Sequence, residues 1–71
     1  MTEPVRIPVE SSLLSSVSYF NTTLELQFRN GAIYQYFAVP SDIFQGLVNA
    51  KSKGTYFNQH IRDRFQHQRL A

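Results

Sequence analysis

The side chains suited to chemistry gather in the last third of this chain. There Lys51, Lys53, Arg62, Arg64 and Arg69 are countered only by Asp63, so residues 51–71 carry +4; residues 1–50 set Arg6 and Arg29 against Glu3, Glu10, Glu25 and Asp42 and carry −2. A localised group of cations suits phosphates or acidic partners, although its commonest meaning is a solvated helix face. Within it, Lys51-Ser52-Lys53-Gly54-Thr55 reads as a helix start. Free backbone N–H groups there, beside two lysines and a glycine that admits close approach, make an anion site by geometry and dipole. The spacing lacks the G-x-x-x-x-G-K pattern of a nucleotide-binding loop, which excludes an NTPase. The structural alternative is an interhelical turn in which Gly54 takes a positive φ and the lysines complement the end of the preceding helix. Asn58 and Arg62, four apart on the polar side of the same helix, extend the phosphate-binding set with Lys53, and Arg64 and Arg69 complete it.

Aromatic rings supply the other half of a nucleic-acid surface. Tyr56 and His60 stand at the base-stacking positions nearest the cations, and Tyr34 and Tyr36 on a sheet face offer a second platform. For the latter pair, packing under helices with the hydroxyls at the rim is the stronger reading. His60, among Tyr56, Phe57 and Ile61, reads as a hydrogen-bonded boundary histidine. As a general base it would need a carboxylate orienter and a nucleophile beside it. Asp63 lies three residues on, but no serine or threonine is brought there by spacing, so no catalytic constellation is found and a non-enzymatic role is expected. With no cysteine and two histidines, disulfides and thiolate zinc sites are excluded. No metal, other cofactor or small-molecule substrate is expected.

These groups need a scaffold, and the stretch from Leu24 to Tyr36 supplies its centre. Leu24-Glu25-Leu26-Gln27-Phe28 alternates apolar and polar, Arg29-Asn30-Gly31 interrupts, and Ala32-Ile33-Tyr34-Gln35-Tyr36-Phe37 resumes with β-branched and aromatic residues. This is a β-hairpin, and its loop length decides which side chains share a face. A two-residue turn at Asn30-Gly31 pairs Phe28 with Ile33 and puts Gln35 among leucines. A three-residue turn with Gly31 left-handed in a G1 bulge pairs Leu26 with Tyr34 and Leu24 with Tyr36. The second register is preferred, because it sends Glu25, Gln27 and Gln35 to the opposite side. It also leaves Ile33 and Phe37 there, to be covered by a terminus or a partner or to stay exposed.

Around that hairpin, residues 1–10 carry Pro4 and Pro8 among Val5, Ile7 and Val9 and predict an extended arm or an extra N-terminal edge strand. Ser11 to Ser16 reads as a connection that tucks one leucine under the sheet. Val17-Ser18-Tyr19 alternates, and Asn21-Thr22 turns into Thr23-Leu24, giving a three-stranded antiparallel meander. After Val39-Pro40 the period changes: Ser41 is the expected N-cap, Asp42 complements the helix start, and Ile43, Phe44, Leu47, Val48 and Ala50 share one side to about Lys51. A second helix from Gly54 or Thr55 to near Arg62 buries Tyr56, Phe57, His60 and Ile61. Phe65 and Leu70 are anchors in a polar tail. The expected fold is α+β, a meander followed by two short helices on one face, with residues 11–71 as one domain. At 71 residues only about 60% of the unfolded chain's surface is buried. No window approaches ~18 apolar residues and no cleavable signal is read, which predicts a soluble, cytoplasmic protein with no membrane partner.

Taken in order, these pieces resemble the KTSC domain, a family named for its occurrence at the C-terminus of some lysyl-tRNA synthetases and also found as small free-standing bacterial or phage proteins. The resemblance covers roughly Ser11 to Arg69. It rests on Ser11-Ser12, Val17 and Tyr19, and Leu24, Leu26 and Phe28 with Asn30-Gly31. It continues through Tyr34-Gln35-Tyr36, which matches the family's YxY, then Val39-Pro40, Ser52-Lys53-Gly54, Tyr56-Phe57-Asn58 and His60-Ile61-Arg62. Ser18 stands where the family often has glycine, and Phe20 where an acidic turn residue is common. The resemblance implies structural roles for Tyr34, Tyr36 and Gly31, no catalytic residues, and an RNA-binding role proposed for the family on context. Two functions follow as expectations: an RNA-binding or other nucleic-acid-binding module, or a module for protein partners or self-association that docks through a strand edge or through Ile33 and Phe37.

Overall fold

A computed structural model describes residues 6–71; Pro4 and Val5, assigned to the N-terminal arm, lie outside them. The sheet has five antiparallel strands adjacent in chain order: β1 (Arg6–Pro8), β2 (Leu14–Phe20), β3 (Thr23–Phe28), β4 (Ile33–Tyr36) and β5 (His67–Arg69). Between β4 and β5 the chain forms α1 (Ser41–Asn49) and α2 (Lys53–His60). The α+β class and the central meander agree with the sequence, but the sheet is wider at both ends.

At one end β1 pairs with β2 as the edge strand that the prolines permit. At the other, the tail expected to hold only two anchors becomes β5. Its pairing is secured by the backbone of β4 and not by apolar alternation. The Phe37 N–H donates to the Gln66 carbonyl at 2.9 Å and the Leu70 N–H to the Ile33 carbonyl at 2.7 Å, satisfying peptide groups an open edge would leave to water.

The central hairpin has the three-residue turn. Leu26 faces Tyr34 and Leu24 faces Tyr36. Gly31 stands at φ 93°, its N–H donating to the Phe28 carbonyl at 3.0 Å, and the Phe28 N–H closes the bulge on the Ala32 carbonyl at 2.8 Å. Asn21 and Thr22, at φ 49° and 60°, form the tight turn between β2 and β3. The Ser11–Ser16 stretch is less loop-like than its serines suggest. Leu14 to Ser16 lie in β2, where Leu14 pairs with Phe28 and Ser16 with Gln27, so Ser15 is the extra residue of a bulge. That bulge turns both Leu14 and Val17 inward, and both are fully buried.

Both helix starts are displaced from their sequence reading. Pro40, not Ser41, occupies the N-cap of α1, and no side chain caps it. The proline's fixed φ and extended ψ set the chain's entry, and Ser41 is already helical. The helix stops at Asn49 because Ala50 is extended. Ser52 then caps α2, its hydroxyl accepting the Thr55 N–H at 3.3 Å. Gly54 is therefore inside α2 and has no positive φ.

The helices cover one face of the sheet. Leu14, Val17, Leu24, Leu26 and Tyr36 are buried against Leu47, Phe57 and Ile61. Phe57 meets Phe28 and Tyr36 edge-on, with centroids at 5.5 and 5.7 Å. Tyr19 stacks on Phe44 at 4.6 Å and donates its hydroxyl to the Val39 carbonyl. The helices meet where Tyr56 lies across Gly46 and donates to the Ile43 carbonyl at 3.0 Å; a Cβ at Gly46 would come within 2.2 Å of that hydroxyl. The other face carries one polar row across every strand, Arg6, Ser18, Glu25, Gln35 and Gln68. Arg6 pairs with the Glu25 carboxylate, Gln35 donates to Glu25 at 3.2 Å, and Gln68 donates to Gln35 at 2.9 Å.

Candidate functional site

Strand β5 has period-two alternation, so His67 and Arg69 point to the helix side of the sheet, opposite Tyr36 and Tyr34. The Arg69 guanidinium carbon lies 5.8 Å from the centre of the Tyr34 ring, within cation–π range. The His67 ring is 5.1 Å from Tyr36 and 5.8 Å from Tyr34. The helices do not reach far enough to cover this end. The result is a groove of about 490 Å³ floored by Tyr34 and Tyr36, with β5 on one side and Asn58, Arg62 and Asp63 on the other. Phe28, Phe57 and the hairpin residues Asn30 and Ala32 also line it.

Tyr36 is buried while Tyr34 is half-exposed. Burial first, and then the neighbouring Tyr34, push the Tyr36 hydroxyl up to about 12; Asp63 adds to that rise and Arg62 opposes it. Asn58 accepts a long hydrogen bond from Arg62 at 3.5 Å. Asp63 forms no hydrogen bond or ion pair among the described residues, so it does not orient His60 as a base would require. The groove therefore offers aromatic faces, two guanidinium groups, the His67 imidazole and one free carboxylate, a set suited to binding.

The predicted basic patch is divided by this arrangement. Asn58, Arg62 and Arg69 line the groove, whereas Lys51, Lys53, Gly54 and Thr55 lie at the far end of α2. Eight helical residues separate the ends by about 12 Å. Part of the helix start expected to meet an anion has partners of its own. Ser52 takes the Thr55 N–H, and Lys53 donates to the Ala50 carbonyl at 2.9 Å, satisfying the end of α1. Arg64 is exposed in the turn beyond the helix and does not line the groove. Tyr56 of α2 is half-buried against α1, and His60, expected at a buried boundary, is exposed and lies beside the Tyr56 ring with centroids 4.4 Å apart. On the open face Ile33 is half-buried and Phe37 is 36% exposed.

His67 and the free state of Asp63 are the features that sequence reasoning missed. The stretch Gln66-His67-Gln68-Arg69-Leu70 is polar and carries no apolar alternation to signal a strand. Among the described residues no group of three metal-ligating side chains converges, and no helix is long and apolar enough to cross a membrane.

The family profile of the KTSC domain matches residues 10–65. A lysine–tRNA ligase of Nostoc sp. is 41% identical over 64 residues, and one of Trichormus variabilis 38% identical over the same length; each alignment takes in 87% of this chain but 11% of the ligase. The chain thus spans about a tenth of those relatives. A protein of Stutzerimonas stutzeri is 43% identical over 56 residues, 76% of this chain and 79% of its own length. The crystal structure of a KTSC domain protein from Yersinia pestis superposes with a TM-score of 0.91 at 38% identity, covering 97% of this chain and all of the other. On profile, sequence and fold alike, the chain belongs to the KTSC domain family.

Proposed function

We propose that this domain is a non-enzymatic binding module for single-stranded RNA, held in the groove between β4–β5 and the end of α2. The observation that carries the reading is the placement of Arg69 over the half-exposed Tyr34 ring, with Arg62 lining the same groove. An unpaired base stacks on an aromatic face whatever its identity, and guanidinium groups beside it take the flanking phosphates. The lysine–tRNA ligases that contain a similar segment are named for joining lysine to a tRNA, which makes RNA the favoured polymer. Lys51 and Lys53, at the other end of α2, belong to its helix junction in this reading. Arg64, just past Arg62, lends field and no direct contact.

The test is fluorescence anisotropy of a labelled single-stranded oligouridine at several salt concentrations. Log K falls with log salt by roughly 0.7 for each phosphate neutralised. The Arg62→Glu, Arg69→Glu double variant loses most of the affinity and about two such increments of slope, whereas Lys51→Glu changes little. Equal binding by wild type and the double variant, with both folded, would overturn the reading.

A further inference from the structure

Two arginines and a tyrosine platform account for phosphates and a stacked base, but they leave Asp63 unexplained, since a carboxylate repels the polymer the groove attracts. Each of the groove's other side-chain carbonyl acceptors is occupied. The Asn30 Oδ1 takes the Ala32 N–H at 3.0 Å and the Asn58 Oδ1 takes Arg62 at 3.5 Å. The Asp63 carboxylate, exposed and the groove's one anion, has no partner among the described residues, and it lines the same cavity as Tyr34 and Tyr36.

An ionised carboxylate is acceptor-only, with two parallel oxygens. Among the Watson–Crick edges that an unpaired base presents, guanine alone offers two adjacent donors, N1–H and the N2 amino group. Adenine and cytosine set a ring-nitrogen lone pair beside their amino group, and uracil flanks its single N–H with two carbonyls. Against Asp63 those three bring like charge to like charge, so discrimination comes from repulsion as well as attraction. We infer that the groove selects an unpaired guanine, its ring stacked at Tyr34 and its Watson–Crick edge held by the Asp63 carboxylate, an inference that rests on the RNA-binding reading above.

The experiment uses four labelled oligouridine nonamers, each with one central guanine, inosine, adenine or cytosine. The guanine oligomer binds the wild-type chain on the order of tenfold more tightly than the adenine and cytosine ones, the discrimination of one bidentate pair. Inosine, which lacks the N2 amino group, falls between. Asp63→Asn erases the preference and raises binding of the adenine oligomer, since phosphates no longer meet a carboxylate. Measurable binding with equal affinities for guanine, inosine and adenine overturns the guanine assignment and leaves RNA binding standing. Absence of binding to all four at low salt overturns both. The inosine comparison needs no variant, so a destabilised Asp63→Asn protein does not blunt the test.

Discussion

Arg69 lies directly across the β4–β5 pair from Tyr34, its guanidinium carbon 5.8 Å from the ring centre. This is the point where cation and stacking surface coincide. Tyr34→Ala is expected to weaken single-stranded RNA binding by about 1–3 kcal/mol, the value of one stacked base, while Tyr34→Phe retains affinity because the ring remains. Anisotropy titrations of both variants check this, and equal loss in both would assign the effect to the hydroxyl.

Gly31 tests the hairpin. At φ 93° a Cβ there would meet nothing within 4 Å, so any cost of substitution is backbone strain alone. Gly31→Val is expected to destabilise by roughly 2 kcal/mol or more, with Gly31→Asn much milder because asparagine tolerates the left-handed region. Urea unfolding of the two variants measures the difference.

Gly46 reverses ordinary helix propensity. An alanine in mid-helix normally gains up to ~1 kcal/mol over glycine, but here its Cβ would strike the Tyr56 ring and hydroxyl. Gly46→Ala is expected to lower stability by about 1–3 kcal/mol. In a Tyr56→Ala background the same change becomes stabilising, and a double-mutant cycle isolates the clash.

Tyr36 predicts the alkaline behaviour. An unfolded tyrosine titrates near 10 and the folded one near 12, so the native state holds this proton more tightly. The resulting stability is complete below about pH 10, falls as pH rises, and is gone above about pH 12. Unfolding midpoints followed across that range decline more steeply for wild type than for Tyr36→Phe; parallel curves would refute the assignment.

The central hairpin was legible because a wrong register would have put Gln35 among leucines, and the observed pairing of Leu26 with Tyr34 follows that constraint. The helix faces were legible at Leu47 and Phe57, buried as their 3.6-residue spacing requires, but not at His60, which is exposed. The last strand was not. Its side chains are exposed and polar, and its place is fixed by peptide hydrogen bonds such as Leu70 to Ile33, which no side-chain pattern encodes. Missing that strand scattered the candidate site. Arg69 was counted with Lys51 and Lys53 by charge, whereas the sheet sets it beside Tyr34, and the Lys53 ammonium is committed to the Ala50 carbonyl.

Tyr36 and His67 are cross-strand neighbours although the whole helical excursion separates them along the chain. The floor of the groove and its β5 wall therefore come from opposite ends of the longest loop closure in the molecule. A partly unfolded domain that keeps its early hairpins loses the cleft outright. Affinity for a ligand there should vanish in the same all-or-none step as the native state, which makes binding itself a reporter of global cooperativity.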